Sequence, residues 1–427
     1  MNEPSFLAGI QNATLDEWLR YLATIHYRPI DLSLDRVFEV AKRMALQTHF
    51  KTITVTGTNG KGSTATAISA ILQAAGYRVG LYTSPHLLHY NERIRINGHP
   101  CTDEAIVEAF TVVETARRQT TLTYFEFGTL AALWLFKEAK TDVVVLEVGL
   151  GGRLDAVNII DADCAVITNV DIEHSHYLGT TRESIALEKA GIMRQSKPAI
   201  FGESDVPRSL LQHAQALDVP LSLPGRDFHY DKQADHWCFV MGEHRLNLPY
   251  PPLLGEHQLN NASLAIAALL NLQDDLPVTP AAFASGIQKM HIQGRLQCLG
   301  KRPTIYVDVA HNPHAVGILT EALPKSPRVG KTISVFAALD DKDIESMARI
   351  MAPFVDLWLF SQCAIPRAAS VDRIAVAVKN TGAKAMMAFP TIAEAWYEAK
   401  RRASPDDWIV VFGSFHTVAE VLRDRGI

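Results

Sequence analysis

The chain has 427 residues, 48% of them hydrophobic and 20% charged, with 41 basic against 46 acidic side chains and a formal net charge of −5. That length predicts two or three domains with true cores, and the composition excludes a disordered chain and a nucleic-acid binder with a duplex-wide basic face. Cys101, Cys164, Cys238, Cys298 and Cys363 form no C-x-x-C pair, which argues against a zinc knuckle or disulfide framework and for a reducing cytosol.

The opening MNEPSFLAGIQ has neither a basic n-region nor a long apolar core. With no run of about 18 apolar residues either, a cytoplasmic protein without membrane partners is expected. Short apolar runs then alternate with amphipathic stretches almost to the end, predicting an α/β fold with a largely parallel sheet. Strands are predicted over 51–57, 77–83, 142–149, 164–170 and 198–202, and helices over 63–75, 103–118, 125–139 and 182–193. The first strand runs into Gly57-Thr58-Asn59-Gly60-Lys61-Gly62-Ser63 and then a helix. Glycines let backbone approach a polyphosphate, amides at a helix start face the anion, and a lysine adds a point charge. The strict pattern G-x-x-x-x-G-K-[ST] is not met, because Val55 stands at its first glycine and Gly62 displaces Ser63 by one residue. A nucleoside triphosphate is the expected ligand.

Polar residues then gather at predicted strand ends, where open parallel sheets bind ligands. Ser84 closes the second strand, Glu147 sits in the apolar run 143–149, His174 follows the fourth strand, and Lys189 lies in the stretch 188–192. A carboxylate inside an apolar strand needs a salt bridge or a metal, and beside a triphosphate Mg²⁺ is the natural compensator. Tyr124, Phe125 and Glu126 combine rings with a carboxylate, suited either to a heteroaromatic ligand or to a core. The glycine-dense turn 149–158 carries Arg153 and Asp155, which could face a flat substrate or form a surface ion pair. Alternating aromatic and polar residues over 225–252 suggest an antiparallel excursion, followed by a helix over 258–271.

Periodicity lapses around 291–301, and a second set of strands is predicted over 304–310, 331–338, 355–361, 383–389 and 407–413. The domains expected are 1–292 and 293–427, with a ligand between them. In the second, Asp308 and His311 stand at a strand end with Pro313 opening a helix, Arg295 could reach a phosphate or lie solvated, and Ser414 or Thr417 could cap a helix.

Taken in order, TGTNGKGS (56–63), SPHL (84–87), TYFE (123–126), EVGLGGRLDAVN (147–158), EKAGI (188–192), HQLNNA (257–262), GR (294–295), DVAHNPHA (308–315) and GSFHT (413–417) span nearly the whole chain. Together they resemble the folylpolyglutamate synthase and dihydrofolate synthase family, within the Mur-type amide ligases. The resemblance implies an N-terminal P-loop ATPase domain, like the Mur ligase central domain, joined to a C-terminal Rossmann-like α/β domain. It implies an ATP-dependent ligase that makes an acyl phosphate and passes it to L-glutamate. By that resemblance Gly57, Thr58, Asn59, Gly60, Lys61, Gly62, Ser63, Asn261, Arg295 and Asp308 hold ATP. Ser84, Glu147, His174 and Lys189, the last as N6-carboxylysine, hold two Mg²⁺ ions, and Lys61, Glu147, His174, Lys189 and His311 serve catalysis. Thr24, Ile25, His26 and Tyr27, with Thr123, Tyr124, Phe125, Glu126, Arg153, Leu154, Asp155 and Ala156, hold the pterin or folate. Ser414 and His416 fall on the glutamate side. Glu173 stands where the family commonly has aspartate, and Val157 where threonine is frequent. A monomer binding only small molecules is implied, with dihydropteroate, reduced folates, L-glutamate and ATP as partners. The bifunctional reading is preferred; a folate-only ligase, a peptidoglycan-precursor ligase and a non-catalytic nucleotide switch remain as alternatives.

Overall fold

The computed structural model describes residues 13–46, 49–323 and 330–426. They form two compact units, the described part of Met1–Pro251 with Asn260–Met290, and Pro252–Leu259 with the described part of His291–Ile427.

The first unit is built on eight strands, Lys51–Thr56 (β1), Val79–Tyr82 (β2), Ile94–Ile96 (β3), His99–Pro100 (β4), Val143–Glu147 (β5), Cys164–Ile167 (β6), Ala199–Phe201 (β7) and Leu221–Ser222 (β8), in the order β4-β3-β2-β5-β1-β6-β7-β8. β2, β5, β1, β6, β7 and β8 run parallel, while β3 and β4 turn back antiparallel. Val143 to Leu146 are fully buried, as a central strand covered on both faces requires. β1 lies between β5 and β6 with Val55 opposite Glu147, so the glycine loop and the buried carboxylate emerge at the same end of neighbouring strands.

The predicted strands all exist but stop one to three residues short of the expected loop-side ends, because Gly57, Thr83 and Val148 already belong to loops. The helix expected from Ser63 starts at Lys61. The short β3–β4 hairpin carried too few alternations to be read. A second, antiparallel sheet of Phe228–Lys232 (β9), Trp237–Met241 (β10) and His244–Leu248 (β11) forms where the composition changes, with Phe228 stacked on Phe239 at 5.9 Å. Two N-terminal helices, Leu15–Leu22 and Asp35–Arg43, bury Trp18, Leu22, Val37 and Val40. The Trp18 ring lies 5.7 Å from Phe110 and 6.2 Å from Phe127.

The second unit has six strands, Gln297–Lys301 (β12), Thr304–Val307 (β13), Thr332–Phe336 (β14), Leu357–Phe360 (β15), Met386–Ala388 (β16) and Trp408–Phe412 (β17), ordered β12-β13-β17-β14-β15-β16. All pair in parallel except β12, which runs antiparallel to β13. β12 occupies the stretch where periodicity lapses. It is an edge strand with a register break between Cys298 and Gly300 and no buried face, so it leaves no alternation to read. Phe336 and Phe412 stack at 4.7 Å beneath Trp358 in its core. Among the described residues no helix is long and apolar enough to cross a membrane.

Candidate active site

β1 ends at Thr56, and the chain turns through Gly57 at φ 148° and Gly60 at φ 84° into the helix Lys61–Ala74. Both glycines are required by space as well as by φ. A Cβ on Gly57 would lie 1.8 Å from Thr168 Oγ1, and one on Gly60 would lie 2.5 Å from Asn261 Oδ1. Asn169, which carried no motif signal, shapes the loop: its Oδ1 accepts from Thr58 N at 3.1 Å and Asn59 N at 2.8 Å. Thr168 Oγ1 donates to the Asn59 carbonyl at 2.6 Å. With those amides engaged, the loop's candidates for meeting an anion are the N–H groups of the helix's first turn, which has no side-chain cap. Lys61 Nζ lies on the loop carbonyls of Gly57 and Thr58, at 2.8 and 3.1 Å.

Glu147 closes β5, buried, and accepts from Ser84 N at 2.9 Å. A Cβ at Gly62 would sit 3.5 Å from both of its carboxylate oxygens, so the carboxylate faces the start of the helix Lys61–Ala74. Thr56, Gly57, Lys61, Gly151, Glu173 and His174 line a small cleft beside the loop. His174 holds a left-handed backbone at φ 47° and begins the short helix Ser175–Leu178. Behind it the buried Lys189 donates to Glu173 Oε1 at 2.8 Å. Burial pulls the Lys189 amine down to about 8 even against Glu173. Burial acts to raise Glu173, but the charges of Lys61 and Lys189 outweigh it and hold the carboxyl at about 2. Among the described residues no three His, Cys, Asp or Glu side chains converge as a self-sufficient metal cage. The Glu147 carboxylate, with Ser84 next to it in the fold, is the oxygen donor at the loop; a magnesium ion commonly takes only one or two protein oxygens and completes its shell with phosphate and water.

The substrate candidates separate into two kinds. Phe125 packs beneath Gly149, where a Cβ would meet the ring at 2.7 Å, and lies 5.8 Å from Tyr82. Tyr124 lies edge to face with Tyr90 at 5.9 Å. Glu126, in contrast, is spent on the scaffold: Oε2 accepts from Thr123 N at 2.6 Å in a capping box, and Oε1 accepts from Arg36 Nη2 at 2.8 Å. Arg36 also donates to Asp31 Oδ2 at 3.0 Å, and Asp31 meets His26 Nε2 at 3.2 Å. One guanidinium therefore ties the candidate loop Thr24–Tyr27 to the candidate helix start Thr123–Glu126, a role no motif announced. Tyr27 is 76% exposed at the tip of that loop, Thr24 Oγ1 donates to the Tyr21 carbonyl, and Ile25 packs on the core.

Asp155 is a buried clamp whose oxygens accept from Leu150 N at 2.9 Å and Val157 N at 3.1 Å. Burial pushes its carboxyl up to about 7 against the N–H groups of Leu150, Val157 and Gly149. Arg153 pairs with Glu188 at 2.8 Å, Leu154 sits half-buried, and Ala156 begins a buried turn, Ala156–Ile159.

In the second unit Asp308 follows β13, half-buried. Its carboxylate accepts from Leu296 N and Ala310 N, both at 2.7 Å. Burial raises its pKa, against the pull of Arg295. Those two bonds bend the chain through Gly294 at φ 69° and Leu296 at φ 39° and present Arg295 over the Phe415 ring at 5.3 Å. His311 Nδ1 lies 2.8 Å from the Val309 carbonyl, and its ring stands 5.8 Å from Phe415. Ser414 caps the helix Phe415–Asp424, its Oγ accepting from Thr417 N at 3.0 Å and meeting Thr417 Oγ1 at 2.7 Å, all buried. His416 is lowered by burial, then by Arg367 and Arg423.

Comparison with known proteins matches two families along the chain. Residues 55–269 match the Mur ligase middle domain, and residues 294–415 match the Mur ligase glutamate ligase domain. The chain is 42% identical over 411 residues to the dihydrofolate synthase/folylpolyglutamate synthase of Escherichia coli (strain K12), covering 96% of this chain and 95% of that protein. The E. coli FolC structure in complex with DHPP and ADP superposes with a TM-score of 0.91 at 42% identity, over 97% of this chain and 98% of that one. A bifunctional folylpolyglutamate synthase/dihydrofolate synthase with Mn, AMPPNP and L-glutamate bound superposes with a TM-score of 0.90 at 41% identity, over 97% and 99% of the two chains.

Proposed function

The chain belongs to the dihydrofolate synthase/folylpolyglutamate synthase family of Mur ligases, and from that premise we propose how its residues divide the work of an ATP-dependent glutamate ligation. The acceptors are 7,8-dihydropteroate and tetrahydrofolates. In the proposed reaction a substrate carboxylate oxygen bonds to the γ-phosphorus of ATP as the bond to the β–γ bridging oxygen breaks, releasing ADP. The α-amine of L-glutamate then attacks the acyl carbon, phosphate departs, and the nitrogen gives up a proton to complete the amide.

The observation that carries this reading is the convergence of Glu147 and Ser84 on the glycine loop, with the carboxylate facing the uncapped helix start. The first unit is read as a P-loop ATPase domain and the second as a Rossmann-like domain. The N–H groups of residues 60–63 hold phosphate oxygens, and Lys61 leaves the Gly57 and Thr58 carbonyls to neutralise them. Asn261, across Gly60, fixes the loop's far wall. Ser84 and Glu147 would hold Mg²⁺, which when bound supplies positive charge to the triphosphate. His174 and a carbamate on Lys189 are proposed for a second ion. Carbon dioxide adds to an uncharged amine, and burial already disfavours the charged form of Lys189. Arg295, Asp308 and His311 remain the second unit's candidates for nucleotide and glutamate chemistry. Ser414 is left out, since its hydroxyl already caps a helix. A cytoplasmic site of action agrees with these substrates.

The test is ATP- and Mg²⁺-dependent incorporation of labelled L-glutamate, with 7,8-dihydropteroate and tetrahydrofolate in separate reactions. Both products are expected. Incorporation with tetrahydrofolate alone reduces the protein to a polyglutamate synthase, and none with either overturns the reading.

A further inference from the structure

Arg93 lies in the short helical turn Tyr90–Arg93 ahead of β3, half-buried, and belongs to none of the groups assigned above. Its Nε donates to His86 Nδ1 at 2.9 Å, and its guanidinium carbon stands 5.4 Å from the Tyr90 ring and 5.6 Å from the Tyr124 ring. The two terminal nitrogens have no hydrogen bond or ion pair among the described residues. The backbone around it is anchored, because the Arg93 carbonyl accepts from Thr83 N at 2.9 Å. The next residue, Ser84, donates its N–H to Glu147. Burial raises the phenols of Tyr82, Tyr90 and Tyr124, and in each case Arg93 is a charge that pulls the other way. The guanidinium thus lies within the electrostatic reach of three rings.

A guanidinium whose inner nitrogen is tethered and whose outer fork is uncommitted is shaped for bidentate recognition of a carboxylate. Stacking between Tyr90 and Tyr124 restricts the fork without neutralising it, and desolvates it in part, which strengthens a pairing made there. A flat aromatic acid could lay its ring against Tyr124 and Phe125 and bring its carboxylate to this fork, on the same short strand end that carries Ser84.

We infer that Arg93 is a substrate-binding residue that receives the carboxylate of the aromatic acid before its activation. The inference rests on the folate-ligase reading and names the cation that this reading leaves unassigned. It also separates two carboxylates that the reaction must distinguish, the aryl carboxylate of the acceptor and the α-carboxylate of incoming L-glutamate, and commits Arg93 to the first.

The test is equilibrium binding by the full chain of 7,8-dihydropteroate and of the same pterin–aniline with hydrogen in place of the carboxylate, to wild type, Arg93→Gln and Arg93→Lys. Wild type should favour the carboxylate by about 10- to 100-fold, the range of a hydrogen-bonded charge pair. Arg93→Gln should bind the two ligands within about 3-fold of each other, and Arg93→Lys should fall between, since lysine keeps the charge and loses the fork. Unchanged ATP binding and thermal midpoint show that each variant is folded. Discrimination retained in a folded Arg93→Gln, or a rise confined to the KM for L-glutamate, overturns the inference. Wild type that binds ATP and neither pterin compound counts instead against the function proposed above.

Discussion

Each unit carries a carboxylate at the end of a parallel strand, and the two have different neighbours. Asp308, after β13, has one backbone N–H on each oxygen at 2.7 Å, and burial raises its pKa despite Arg295. Glu147, at the end of β5, takes the Ser84 N–H and has both oxygens turned to Gly62, where even a methyl group would come within van der Waals contact. The first is fastened into a turn that presents Arg295. The second is placed against a glycine and a helix N-terminus, where a cation and an anion can approach it. The position of a carboxylate at a strand end therefore does not decide its role; the neighbours of its two oxygens do.

The largest effect that would sharpen this contrast is Glu147→Gln. Shape is kept and charge removed, so the protein should fold while ligation falls by at least about 10²-fold, the scale of losing a key charge-stabilising group. Turnover like wild type in a steady-state assay would overturn the assignment of Mg²⁺ to Glu147. Next is Arg36→Gln, which unties Asp31 and Glu126 from one guanidinium. The pterin-side loop then loses its tether, and the KM for dihydropteroate should rise about 10-fold while that for ATP stays within error, since losing hydrogen bonds to charged groups is worth this much. An equal rise in both constants would mean that Arg36 supports the unit as a whole.

Much of this was legible in the chain. Glycines 57, 60 and 62 with Lys61 mark the turn from β1 into a helix because each has a separate physical reason to be there, and Glu147 stands out as a charge in a fully apolar strand. What sequence could not tell was how polar groups were spent. Glu126, Asp155 and Ser414 read as ligand groups by type, yet each accepts backbone N–H groups within its own turn. Arg36, Arg93 and Asn169 carry no local pattern, because their partners lie 90, 7 and 111 positions away and are brought near by folding. The hairpin β3–β4 and the edge strand β12 were missed for a different reason: short or bulged strands have no period.

A separate effect, on stability rather than activity, concerns the second unit alone. His257 lies beside Arg295 and His314, and burial, then those two neighbours, lower its pKa from 6.5 to about 4. A histidine lowered on folding stays neutral while the unfolded chain takes up a proton, so its contribution to stability is whole above pH 6.5 and is lost as pH falls through about 4. His257→Gln should flatten the acid limb of a urea-melting series between those values, by no more than about 3 kcal/mol, with little change at pH 8. An acid limb identical to wild type would mean that the histidine ionises alike in both states.

The smallest effect tests the scaffold side of the contrast most directly. Ser414 stands in the motif that the family resemblance places near glutamate, but its hydroxyl accepts from Thr417 N, meets Thr417 Oγ1 and lies 3.4 Å from Cys363 Sγ, all out of solvent. Ser414→Ala removes a helix cap and should cost about 1 kcal/mol of stability, read from chemical denaturation. The KM for L-glutamate should not move. If it rises several-fold while stability holds, the hydroxyl exchanges its cap for the ligand during turnover, and a spent polar group in a resting fold would no longer be proof of a structural role.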